Sequence, residues 1–153
     1  MPNLLLFAPC EKVIVDQNNT ASLISVLEEV KVQIVGGAPP VPNTIVPMQW
    51  SIVSLWEQSS AWDMGRTFEQ RTALVSAAGA HLAESIGTFV FEKPRHRIIT
   101  QILGMPLTEP GQHKVKIWIR DKADPPKEWK ETASFPITIE LLSPPTTPTA
   151  TIN

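Results

Sequence analysis

Fifteen prolines are distributed through this 153-residue chain, most of them falling between apolar runs. An internal proline removes a helix hydrogen bond and clashes with the preceding turn, at about 3 kcal/mol, so this punctuation excludes a helical bundle. The segments between the prolines are rich in β-branched residues. Twelve Val, fourteen Ile and thirteen Thr make 39 of the 153 residues. Such side chains are stiff at χ1 and suit a pleated sheet better than a helix. The expected fold is therefore all-β.

Strand-like runs separated by turn residues can be drawn along the chain. The first covers Leu4 to Asp16, with a bulge expected at Pro9, and the turn Asp16-Gln17-Asn18-Asn19-Thr20 follows. A second run extends from Ala21 to Ile34, and Gly36 to Pro47 reads as a loop. Met48 to Trp56 is apolar on both alternating faces and reads as an interior strand. Gly65 to Ala77, Leu82 to Glu92 and Arg95 to Leu103 come next. The Ala-rich stretch Thr72 to Leu82 has some helix propensity, but Gly79 interrupts it and no 3.6-residue stripe is present, so it reads as strand and loop.

In His113 to Arg120, Val115, Ile117 and Ile119 share one face while Lys114, Lys116, Trp118 and Arg120 share the other, which is a half-buried strand. Phe135 to Leu141 alternates in the same way. Pro136 cannot donate to a ladder, so this last strand is expected at an edge or bulged there. A hairpin turning near Leu107 would set His113 opposite Gln101 and His96 opposite Trp118. Helical patterns do not alternate with these runs, which excludes parallel α/β folds. The architecture expected is an antiparallel two-sheet β-sandwich of seven to nine strands, formed by a single domain over residues 1–142. Residues 143–153, rich in Pro and Thr, read as a flexible tail.

The charge balance selects no obvious polymer. Thirteen Lys and Arg against fifteen Asp and Glu give a net charge of −2, so no strong field draws nucleic acid or an acidic membrane. The run Leu4 to Ala8 lacks preceding Lys or Arg and is too short for a signal peptide. No window of 18 apolar residues suggests a membrane span, and the cytoplasm is the expected location. The single cysteine excludes a disulfide scaffold and suits a reducing compartment.

Two groups of residues carry a family resemblance. One is Cys10-Glu11-Lys12-Val13-Ile14-Val15-Asp16 with Ser22-Leu23-Ile24-Ser25-Val26-Leu27-Glu28. The other is Leu103-Gly104-Met105-Pro106-Leu107, then Glu109-Pro110-Gly111 and the strand from Gln112 to Asp121. Together they resemble an uncharacterised bacterial family of small β-sandwich proteins, a domain of unknown function. The resemblance covers the two ends of the chain and is faint from Val35 to Arg95. It implies the fold and a cytoplasmic bacterial origin, and no activity or catalytic residue. A Pro-Gly pair opening a late strand often has an aromatic residue two positions after the glycine in such sandwiches. Here that position is His113, in a chain without tyrosine.

A search for chemistry finds no catalytic motif. His81, His96 and His113 lack metal-ligand spacing, and no metal or cofactor is expected. There is no Gly-x-Ser-x-Gly elbow, and Cys10 lies in the first strand between Pro9 and Glu11. Gly36-Gly37 runs into prolines rather than a helix start, and Glu28 and Glu29 point to opposite faces of a strand. Asp121, Asp124 and the Asp16–Asn19 turn could offer oxygen ligands to calcium, but Lys122 and Lys127 oppose a dication there.

Aromatic residues supply the positive indication. Trp50 and Trp56 share a strand face, and Trp62 falls in the loop from Glu57 to Met64. Trp118 projects from a polar face beside Lys114, Lys116 and Arg120, and these four are the candidate binding residues. An exposed tryptophan there would suit a protein interface or a sugar platform. The favoured reading is that Trp50 and Trp56 fill the core while Trp118 lies under a covering loop, because large aromatics are mostly buried. The leading expectation is a non-enzymatic interaction or assembly module that binds another protein or itself, with the Phe135 to Leu141 edge as one route to self-association. Carbohydrate binding through exposed tryptophans is the first alternative and an unrecognised enzyme the second.

Overall fold

The computed structural model describes residues 1–36, 41, 44–123 and 125–143. Nine strands form among them: β1 (Asn3–Val15), β2 (Ala21–Val26), β3 (Glu29–Gln33), β4 (Ile45–Glu57), β5 (Thr67–Val75), β6 (His81–Val90), β7 (Arg95–Pro106), β8 (Gly111–Asp121) and β9 (Lys130–Leu142). A single 3-10 turn, Ala61–Asp63, follows β4. One sheet has the order β2-β1-β4-β7 and the other β3-β9-β8-β5-β6. The chain is a two-sheet β-sandwich, as its composition requires. Its path crosses between sheets after β2, β3, β4, β6 and β7. Apart from Ser143, the Pro/Thr-rich tail lies outside the described residues.

Three expectations about the strands are corrected. First, the run Ala21 to Ile34 is two strands in different sheets. The break comes at Leu27, which is buried in the core, while its N–H donates to the Pro9 carbonyl at 2.9 Å. One residue on, the Glu28 carbonyl accepts the Thr138 N–H at 2.9 Å and leads β3 into the second sheet. There β3 runs parallel to β9, so the sandwich is not wholly antiparallel.

Second, β9 is interior along part of its length. β3 covers it from Thr138 to Leu142. Thr138 turns its N–H to the β3 side, and backbone groups alternate along a strand, so the Pro136 nitrogen faces that side too. It lies just before β3 begins, where the missing donor forfeits no ladder bond. Third, β7 and β8 belong to different sheets, β7 pairing with β4 and β8 with β5 and β9. His113 therefore does not face Gln101, nor His96 Trp118: His96 pairs with Trp56 and His113 with Ile137.

The turn chemistry is local. Asp16 accepts the N–H groups of Asn18 at 2.9 Å and Thr20 at 2.8 Å, while Asn19 takes the left-handed conformation at φ 62°. Between β5 and β6, Gly79 adopts φ 90° and its N–H donates to the Ser76 carbonyl. The stretch Thr72 to Leu82 is thus strand, turn and strand.

Trp50, Ile52, Leu74, Val115 and Ile137 pack into one core cluster, and Trp56, Phe68, Phe89, Phe91, Ile117 and Ile119 into another. Each such side chain contributes about 1.5–3 kcal/mol by leaving water. Hydrogen bonds satisfy polar atoms within the core. Gln70 Oε1 accepts both the Ser54 hydroxyl and the Trp56 indole N–H, each at 2.6 Å. The Trp50 N–H donates to the Gly104 carbonyl at 3.1 Å.

Beyond Cys10, β1 parts from β4 and pairs with β2. The turn of this hairpin returns to β7, where Arg97 donates to the Asn19 carbonyl at 3.1 Å and to its side chain at 2.7 Å. The hairpin thus lies back across the outside of the four-stranded sheet. That placement accounts for the burial of Ala8, Cys10, Ser51 and Val53, whose register puts them on the face opposite Trp56 and Ser54.

Candidate docking site

The four residues singled out from the sequence lie together on the outer face of the five-stranded sheet, but Trp118 is only 7% exposed. Arg71, its register partner on β5, places its guanidinium 4.3 Å from the indole centroid. The same guanidinium lies 5.1 Å from Trp129, which is in turn covered by Arg120 at 4.4 Å. His81 stacks on Trp118 at 6.1 Å. Of the two readings of Trp118 the covered one holds, and there is no exposed platform: Trp118 sits beneath Arg71 and the loop that carries Trp129.

The neighbouring cations are also engaged. Lys116 meets Glu131 at 3.1 Å, and Arg120 and Lys122 converge on Glu69 at 2.6 and 3.3 Å. The Arg120 and Lys122 hydrogen bonds hold the Glu69 carboxyl below its ordinary pKa. Lys114 alone of the four is exposed. Trp50 and Trp56 are both core residues at 1% and 0% exposure, whereas Trp62 is 84% exposed on the 3-10 turn.

His113 is completely buried. Its ring bridges Thr108 Oγ1 at 3.0 Å and the Gly111 carbonyl at 3.3 Å. It thereby ties the Thr108–Gly111 turn to the start of β8. His96 lies on Phe89 at 4.9 Å, and burial lowers its pKa. Burial likewise pushes the Cys10 thiol up. Asp121 is buried and paired with Arg66 and with Lys127, which spends the best of the expected calcium ligands, and Asp124 lies outside the described residues. Among the described residues no three His, Cys, Asp or Glu side chains group as metal ligands. No described helix is long and apolar enough to cross a membrane.

A different feature stands out on the side of the sandwich where the two sheets end in β6 and β7. A cleft of about 350 Å³ opens between these edges, with Ile52, Leu74, Ala83 and Ile102 as apolar walls and Thr72, Ser85 and Thr100 among them. Its origin is legible in the register. Ala83, Ser85 and Gly87 pair with Leu74, Thr72 and Gln70, and so point between the sheets. Sheets pack about 10 Å apart, and three successive small inward residues cannot span that distance from an edge strand. Leu103, 77% exposed, stands at the mouth of the cleft, and Ile86, 54% exposed, lies on the outer side of β6. The signal in the sequence was the period-2 run of small residues, which composition alone does not reveal.

Neither the family models nor the curated proteins contain a match to this chain.

Proposed function

We propose that this chain is a non-enzymatic interaction module that binds another polypeptide, a copy of itself included, along its open β6–β7 side. The observation that carries the reading is the apolar cleft of about 350 Å³ framed by two edge strands of 10 and 12 residues. An extended segment can add backbone hydrogen bonds to such an edge while its alternate side chains enter the cleft. Carbohydrate recognition has less support, because Trp50, Trp56 and Trp118 are buried and Trp62 projects alone from its turn. A cytoplasmic location and kinship with the bacterial family resembled by the terminal motifs belong to the same proposal. The lone, buried Cys10 is compatible with that compartment.

The test places a photo-crosslinking amino acid at Leu103 or Ser85, beside the cleft, and at Thr132, an exposed position on β9. Discrete polypeptide adducts from the first two positions, absent from the third and suppressed by Ala83→Trp, are expected. Equal labelling at all three positions, or none at the cleft, would overturn the reading.

A further inference from the structure

We propose that β6 is a self-pairing edge, through which two copies of this chain join antiparallel about a two-fold axis at Ile86. The two five-stranded sheets would then run into one. This rests on the reading of the β6–β7 side above and names its occupant as a second copy.

The direction of the backbone groups comes first. One residue past β5, and continuing its alternation, the Ser76 N–H donates across the turn to the Ala80 carbonyl at 2.8 Å. On the opposite side the Thr67 carbonyl accepts Lys122 N–H at 3.0 Å. Backbone groups alternate along a strand, so even-numbered residues of β5 address β6 and odd-numbered ones address β8. The even residues Phe68, Gln70, Thr72 and Leu74 pair with Phe89, Gly87, Ser85 and Ala83. Those four β6 residues therefore spend their N–H and C=O groups on β5. Glu84, Ile86 and Thr88 direct theirs outward, to the open edge.

This edge is also unguarded. Natural sheets blunt their edges with lysine, proline, bulges or short length. β2 and β3 have only 6 and 5 residues, and β3 carries Lys31. β7 carries Arg95 and Arg97 at one end and Pro106 at the other. β6 has 10 residues, and from Ala83 to Val90 it contains no proline, no cation and a single charge, Glu84. Its one irregularity lies before Ala83.

Charge then selects the register. Centring the two-fold on Ile86 sets Ile86 against its own copy, Glu84 against Thr88 and Leu82 against Val90, with no like charges opposed. Centring it two residues earlier opposes Glu84 to Glu84 of the second copy, and two residues later opposes Glu84 to Glu92. Like charges directly across a ladder are destabilising. In the Ile86 register the exposed isoleucine gains an apolar partner on the outer face. On the cleft face Ser85 meets Gly87, and neither has the bulk to hold the strands apart.

The test combines mass with register. Light scattering of the wild-type chain is expected to give a dimer mass, and Ile86→Pro a monomer. The Ile86 N–H points away from β5, so this proline removes no bond of the β5–β6 ladder. Ile86→Cys is expected to form a disulfide dimer under a mild oxidant, because facing residues of a hydrogen-bonded pair lie about 5.5 Å apart at Cα. Glu84→Cys is expected not to, its copy lying four residues along the ladder, about 13 Å away. Cys10 is buried and does not compete. A wild-type monomer up to millimolar concentration, or cross-linking through residue 84 in place of 86, would overturn the proposal. A monomer that still gives cleft adducts in the photo-crosslinking assay would refute self-pairing while leaving the docking reading intact.

Discussion

Gln70 offers a direct test of how the core is held. Its carboxamide oxygen accepts two donors from the facing sheet, Ser54 Oγ and Trp56 Nε1, and all three residues are at most 3% exposed. Gln70→Leu preserves most of the volume and removes the acceptor. Leaving a buried donor unsatisfied costs about 1–3 kcal/mol. The indole N–H is fixed by its ring, whereas the hydroxyl can rotate, so the expected loss is roughly 3 kcal/mol. For a chain of this length that corresponds to a fall in Tm of roughly 6–12 °C. Calorimetry and guanidinium titration measure it. Ser54→Ala should destabilise the wild type by about 1 kcal/mol, yet be neutral or favourable beside Gln70→Leu, since it then removes an orphaned hydroxyl. A Gln70→Leu protein melting within about 2 °C of the wild type would refute the argument that this oxygen satisfies both donors.

Other consequences are measurable on the same protein. Arg71→Ala removes the cation stacked on Trp118 and Trp129, at about 0.5–2 kcal/mol, and should raise acrylamide quenching of tryptophan fluorescence; unchanged quenching would contradict the covering role. Gly104→Ala forces a side chain into φ 86°, with its Cβ driven into Ile45 Cγ2, and should cost roughly 2 kcal/mol or more by chemical denaturation. Glu69 has a lowered folded-state pKa, first through its hydrogen bond from Arg120. Its contribution is present above the unfolded carboxylate value and is lost as pH falls through the lowered folded one, so Arg120→Gln should flatten the acid limb of a stability–pH curve. For His96 burial lowers the pKa, so the unfolded chain takes up the proton first. Stability is then lost as pH falls from about 6.5 towards the folded value, and His96→Gln should remove that slope.

Local patterns gave away the strands, and non-local geometry hid the site. The alternation in His113–Arg120 correctly put Val115, Ile117 and Ile119 inside, and the six-residue spacing of Trp50 and Trp56 correctly gave them one face. The break after Val26 was invisible because Leu27 and Val30 are both apolar and no Gly or Pro separates them. The parallel pairing of β3 with β9 joins segments more than a hundred residues apart, for which no local signal exists. Trp118 does occupy the polar face of its strand. What covers it is Arg71, delivered by the neighbouring strand, and Trp129, delivered by a loop. The cleft depends on which face Ala83, Ser85 and Gly87 occupy, and that became definite only with their register against β5.

Hydrogen exchange of individual backbone amides tests the claim that the chain works through its β6–β7 side. In dilute protein the Glu84, Ile86 and Thr88 amides should exchange rapidly, while Ser85 and Gly87, bonded to β5, stay protected. On raising the concentration, or adding a partner that binds, protection should appear at Glu84, Ile86 and Thr88. Protection that instead appears around Trp62 or over Trp118, with these three amides still exchanging freely, would contradict it.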